Sequence, residues 1–262
     1  MQELGSGDTR HRPIALGGAL VTVVEPRRGQ EVAYNRWYER DHFYAGCMIG
    51  AWTVQGGRYV ATKDLKALRY PLENDVIPDP TSGSYVAIYW ILAGKFAEWM
   101  EWGTAQVKWL HENGRMFTER DHIHTVMYKY RSRYEREDGV PVELALDHRS
   151  PYCVLFVGEP MEGIGLDDID GYLARYALPY AVAAEFTPVP LLGDAPSDVP
   201  RSDGGLRFTV LWFVDDDLPA LWDSTFAKLG SDLEAAGIAT TKFCGPFRAT
   251  IPGTDTYTDQ LW

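Results

Sequence analysis

The chain has 262 residues, 45% of them apolar and 13% aromatic, and a formal net charge of -12. That length allows one large domain or two modest ones, and a field of that sign repels phosphate backbones and anionic lipid heads, so neither nucleic acid nor a membrane surface is an expected partner. Cys47, Cys153 and Cys244 are far apart with no CxxC spacing, which argues against a disulfide framework and for a reduced, cytoplasmic protein.

Met1 to Pro13 is polar, lacks the apolar stretch of a signal peptide and is expected as a flexible lead-in. No run reaches the roughly 18 to 20 apolar residues of a membrane-spanning helix. Ile14 to Val24 reads as a first strand. The turn-prone Pro26-Arg27-Arg28-Gly29 follows, and Gln30 to Tyr44 reads as a first helix. Cys47 to Ala61 carries strand signals broken by Gly56-Gly57, a turn or bulge. Lys63 to Leu72 holds a short helical turn before the proline-rich connection Pro71 to Pro80. Ser84 to Leu92 is an aromatic strand. Lys95 to Asn113 is a helix with Phe96, Trp99, Met100, Val107 and Leu110 as its apolar stripe and Gly114 as its stop. His122 to Tyr134 returns to strand. Residues 14–134 thus make one unit, and Glu135 to Ser150, charged and carrying Gly139 and Pro141, reads as a linker.

Residues 151–262 repeat the order. Tyr152 to Val157 is a strand, Leu166 to Ala183 a helix, Phe186 to Leu192 a strand and Gly193 to Gly205 a polar loop. Leu206 to Val214 is a strand, Leu218 to Ala236 a helix and Ile238 to Ile251 a last strand region. The expected fold is α+β: two tandem ferredoxin-like βαββαβ units forming an intrachain α/β barrel. Each unit closes a four-stranded antiparallel sheet with both helices on one face, and the bare apolar faces cover each other. Edge strands left outside that arrangement can still drive a homodimer.

The first helix is unusual. At 3.6 residues per turn Asn35, Tyr38 and His42 fall on one side, with Tyr34, Trp37 and Asp41 beside them. Rings, an amide, an imidazole and a carboxylate suit a pocket with apolar walls and a proton carrier. Asn35-Arg36-Trp37-Tyr38 with His42 resembles the N-x-W-Y-x-x-x-H signature of the dimeric α/β-barrel superfamily, including EthD-like relatives. The resemblance covers about Leu20 to Ile49. The second half departs from it, since Asp168 to Tyr180 has neither His nor Trp. The superfamily spans cofactor-free monooxygenases, lactone isomerases, polyketide cyclases and haem enzymes, so the resemblance speaks more to fold than to reaction. Its two-repeat haem members use an axial histidine in their second repeat. No histidine follows His148 here, so neither haem nor another cofactor is expected.

His42 is the first candidate for proton transfer, because an imidazole titrates near neutrality. It can equally cap the helix C-terminus. Tyr38, one turn earlier, can share its hydrogen bond. Tyr34 and Trp37 offer stacking surfaces, or pack the helix on its sheet, and Asn35 can orient a carbonyl. In a regular strand His122 and His124 point the same way, with Tyr128 continuing that face. They can act as acid and base, or simply mark a solvent-accessible strand entry. H-x-H alone is too weak a signal for a metal, and none is assigned. Trp90 supplies a further ring toward the space between sheets. Together these residues suggest a small-molecule enzyme acting on an apolar aromatic or polyketide-like ligand by proton transfer: a cyclase, isomerase, dehydratase or cofactor-independent monooxygenase. A non-catalytic ligand-binding or assembly protein of the same fold is the alternative.

Overall fold

A computed structural model describes residues 14–136, 139–190 and 206–262. Apolar runs buried on both faces, such as Tyr85–Leu92 and Phe208–Val214, set the strands. β1 (Leu16–Pro26), β2 (Thr53–Val60), β3 (Tyr85–Leu92) and β4 (Arg120–Glu135) make the first half; β5 (Tyr152–Pro160), β6 (Val182–Val189), β7 (Phe208–Val214) and β8 (Ala239–Ala249) make the second. The helices are α1 (Glu31–Trp37), α2 (Lys63–Lys66), α3 (Phe96–Glu112), α4 (Ala145–His148), α5 (Leu166–Leu173), α6 (Leu218–Leu221) and α7 (Phe226–Ala235). The strands close into one barrel in the order β1-β3-β2-β8-β5-β7-β6-β4, and every strand pair is antiparallel. Each half is therefore a βαββαβ unit, and the two are tandem ferredoxin-like units sharing one wall.

The outer strands meet inside the chain. β4 runs against β6 from Met127↔Val189 to Glu135↔Val182. β2 meets β8 only at Tyr59↔Ala249 and Val60↔Arg248, so the second seam is short and the strands diverge beyond it. The edges that the sequence left open for dimerisation are thus largely used within the chain.

Period-two alternation divides each strand between two layers. Trp90, Phe186, Phe213, Leu211, Phe247 and Tyr59 occupy the barrel interior, where Trp90 meets Phe186 at 5.5 Å and Phe213 at 6.1 Å between ring centroids. The space between the sheets is thus filled by these rings. Tyr34, Tyr38, Tyr89, Trp99 and Met127 lie in the outer layer under α1 and α3. Trp212, Phe156, Phe208 and Phe226 fill the matching layer of the second half.

Several boundaries differ from the sequence reading. The helix expected over Leu166 to Ala183 stops at Leu173, and β6 starts at Val182, four residues before the expected Phe186. Leu178 precedes Pro179, where helical geometry is disfavoured, and pairing with β4 and β7 draws Ala183 and Ala184 into the sheet despite their helical preference. The polar loop Gly193 to Gly205 and the lead-in Met1 to Pro13 lie outside the described residues. The stretch read as a linker also packs. Val142, Ala145 and Leu146 are buried in the barrel core, and Trp90 Nε1 donates to Val142 O at 3.1 Å. No described helix is long and apolar enough to cross a membrane. All three cysteines are free and buried, and burial raises each thiol pKa.

Candidate functional site

The helix that begins as α1 does not end at Tyr44. It widens into two π turns, Tyr38–His42 and Tyr44–Met48, with Phe43 N–H donating to Tyr38 O and Ile49 N–H to Tyr44 O at 3.1 Å. Such turns recur at functional sites because they re-aim the side chains around them. Here Glu39, Phe43 and Tyr44 all reach one cavity.

That cavity, about 210 Å³, lies where β2 and β8 diverge. Its walls include Glu39, Phe43, Arg58, Tyr59, Leu146 and Arg149. Gly56 makes room for the helix, since a Cβ there would fall 2.5 Å from Met48 Sδ and 2.7 Å from Phe43 Cζ. Arg58 projects from β2 into the outer layer, its guanidinium 4.5 Å from the Tyr38 ring centre and 5.1 Å from that of Tyr85. Cations favour such faces. Arg58 Nη1 donates to Asn35 Oδ1 at 3.1 Å and lies 3.4 Å from Glu39 Oε1, an ion-pair distance without hydrogen-bond geometry. Asn35 Nδ2 in turn donates to Thr254 O at 2.9 Å, and Gly253 N–H donates to Glu39 Oε2 at 3.0 Å. Gly253 sits at φ +82, which only glycine adopts freely. Glu39 Oε1 and Arg58 Nη2 are both buried and have no hydrogen-bond partner among the described residues. A buried acceptor and a buried donor left unsatisfied in one place are costly, on the order of 1–3 kcal/mol each.

The other candidate residues fall into two groups separated by the sheet. Tyr34, Asn35, Trp37, Tyr38, His42 and His122 share the outer layer. Trp37 stacks on His42 at 4.5 Å and donates from Nε1 to Arg115 O at 3.0 Å. Tyr34 packs against Trp37, Tyr38, Tyr85 and Phe117. The Tyr38 and Tyr89 hydroxyls share a hydrogen bond of 2.9 Å. The His42 residue is partly exposed, yet its Nδ1 is buried and has no hydrogen-bond partner among the described residues. Burial lowers its pKa to about 3, with Arg120 and His122 adding in the same direction, so the ring is neutral at physiological pH. Asp41, its chain neighbour, pairs with Arg115 instead.

Trp90, Tyr128 and His124 face the interior. His124 Nε2 and the Tyr128 hydroxyl lie 2.9 Å apart, and burial lowers the His124 pKa to about 4. The two histidines of H-x-H do not share a face. Val23 pairs with His124 and Val24 with His122, so Ile123 is the extra residue of a bulge. The bulge turns His122 outward to Thr125 and Arg120, at 3.0 Å each, and leaves His124 inside. No group of three or more His, Cys, Asp or Glu able to hold a metal occurs among the described residues.

Glu39, Phe43, Arg58, Tyr59 and Arg149 were not singled out by the sequence reading. One signal for Arg58 was available: a cation directly after Gly56-Gly57 in a strand that continues as Tyr59-Val60.

No family model matches the chain, and no curated protein matches it. Its fold is similar to that of a solved protein assigned as a chlorite dismutase, at 13% identity and a TM-score of 0.53, over 95% of this chain and 100% of that one. It is also similar to an anthrone oxidase-like protein, at 10% identity and a TM-score of 0.51, over 93% of this chain and 98% of that one. At these identities the likeness is one of fold. A haem held by an axial histidine does not fit the second half of this chain. That half contains no imidazole, and its helix–sheet layer is filled by Trp212, Phe156, Phe208 and Phe226, each 0% exposed.

Proposed function

We propose that the chain is a small-molecule enzyme of the proton-transfer type, with its site in the cavity between β2 and β8. The observation that carries this reading is the unsatisfied pair in that cavity's walls, Glu39 Oε1 and Arg58 Nη2. A carbonyl compound with an acidic α-hydrogen offers Arg58 an acceptor and Glu39 a proton to remove. The Glu39 carboxylate takes the α-proton, the C–H electrons form the carbon–carbon double bond, and the carbonyl π electrons move to oxygen. Arg58 donates a charge-assisted hydrogen bond to the resulting enolate oxygen. Glu39 then returns the proton to the same carbon or to another, which completes an exchange or an isomerisation. Phe43 and Tyr59 supply apolar walls. His42 and Tyr38, neutral and set behind the pair, hold the helix that carries Glu39.

The test uses cyclohexanone in D2O, with deuterium incorporation followed by NMR. The protein is expected to accelerate exchange, and Glu39→Gln to slow it by about 10²-fold or more, the usual scale of a general base. Equal rates for the two proteins, or no acceleration at all, sink the reaction. A folded protein that binds ring-sized molecules without exchanging their protons is the non-catalytic binding protein. The hydrogen bonds already tying Glu39 Oε2 and Arg58 Nη1 in place favour that second reading.

A further inference from the structure

Three charged residues line the cavity: Glu39, Arg58 and Arg149. The first two face each other at ion-pair distance and cancel. Arg149 remains. It directly follows α4, is exposed, and has no hydrogen bond or ion pair among the described residues. Its backbone lies at φ +58, ψ +48, in the left-handed region. That conformation crowds a residue with a Cβ and is the natural place for glycine. The chain thus sets a long cation where backbone geometry favours no side chain, and sets it at the edge of a cavity. Strain of this kind concentrates at ligand-binding positions.

The volume limits what can enter. An apolar cavity of ~150 Å³ holds a benzene ring. About 210 Å³ admits one ring and one small substituent. With a surplus of one positive charge and walls of Phe43, Tyr59 and Leu146, we infer that the occupant is a ring-sized monocarboxylate. Its carboxylate faces Arg149 and its ring lies on the apolar wall. The protein as a whole carries -12, so an anion reaches this place only through local positive charge.

This inference rests on the cavity assigned above, but its test reads binding and not proton transfer. Isothermal titration of the full chain compares benzoate with benzamide, which matches it in shape and lacks the charge. Benzoate is expected to bind at least about tenfold more tightly, with affinity falling as salt rises. Arg149→Gly is expected to weaken benzoate at least about fivefold while leaving the thermal midpoint unchanged or higher, because glycine relieves the left-handed backbone. Arg149→Asn, also at ease there, should behave the same way and serves if the glycine variant fails to fold. A purely structural arginine would give the opposite pattern: lower stability and unchanged affinity. Benzoate failing to bind, benzamide binding as well as benzoate, or both variants retaining full benzoate affinity overturns the inference. Benzoate binding without ketone exchange removes the reaction and keeps the ligand class; exchange without a benzoate preference does the reverse.

Discussion

Trp90→Ala is expected to lower the unfolding free energy by about 3–5 kcal/mol, the range for deleting a large buried ring. The effect should sit at the top of that range, because three parts of the chain rest on this one side chain. Trp90 is 0% exposed on β3, and its ring meets Phe186 of β6 and Phe213 of β7, both from the second half. Its Nε1 donates to Val142 O in the segment between the halves, so alanine also leaves a buried carbonyl without that donor. Urea unfolding read by circular dichroism gives the number. One shared interior also implies one transition for the wild-type chain, since neither half can keep its inner sheet face buried alone. A loss under about 1 kcal/mol, or two separate wild-type transitions, would show that the halves are independent and that the ring is peripheral.

How far the sequence could be read follows from the same division. Element order was legible, because strands such as Ser84 to Leu92 and Leu206 to Val214 are apolar runs between clear breaks. The tandem arrangement followed from that order. What escaped were features that depend on long-range pairing or a single extra residue. The stop of α5 at Leu173 depends on Ala183 and Ala184 being claimed by neighbouring strands. The bulge at Ile123 leaves no mark in composition, yet it decides that His122 and His124 face opposite layers. The π turns break the 3.6-residue period on which the helix-face argument stood, and they send Glu39, rather than His42, to the cavity. The same argument correctly grouped Tyr34, Asn35, Trp37, Tyr38 and His42. In the fold that layer is held by aromatic contacts, which is the packing alternative the sequence also allowed for Tyr34 and Trp37. Arg58 belongs to that layer too, although its partner Asn35 stands twenty-three residues earlier and is met only through the fold.

Relative to a Glu185→Gln variant, the wild-type chain is expected to lose stability as pH rises from about 5 to 8; the His42 and His124 rings, whose lowered pKa values act in the opposite sense, cancel in that comparison. Glu185 is fully buried on β6, and burial raises its pKa from 4.5 to about 8, with the Asp170 carboxylate pushing the same way against Tyr134 and Arg131. Arg131 offsets this only in part, because the guanidinium is shared: Nη2 donates to Asp167 at 2.6 Å and to Asp170 at 2.9 Å, while only Nε reaches Glu185, at 3.2 Å. A protonated Glu185 can instead donate to the Tyr134 hydroxyl, which donates to Asp170 Oδ1 at 3.2 Å, so a single proton orders the chain of contacts. The sign follows from which state keeps that proton. Between the unfolded and folded pKa values the folded protein binds it and the unfolded chain has lost it. The stabilisation is therefore complete below the unfolded pKa and lost as pH rises through about 8, with a slope of at most about 1.4 kcal/mol per pH unit. Glutamine keeps the shape and a donor but cannot titrate. Urea midpoints at pH 5, 6, 7 and 8 for both proteins isolate this group from every other that titrates in the window. The difference should favour the variant increasingly toward pH 8. If the variant is instead the less stable at pH 8, Glu185 is ionised and bound to Arg131, and removing its charge strands a buried guanidinium.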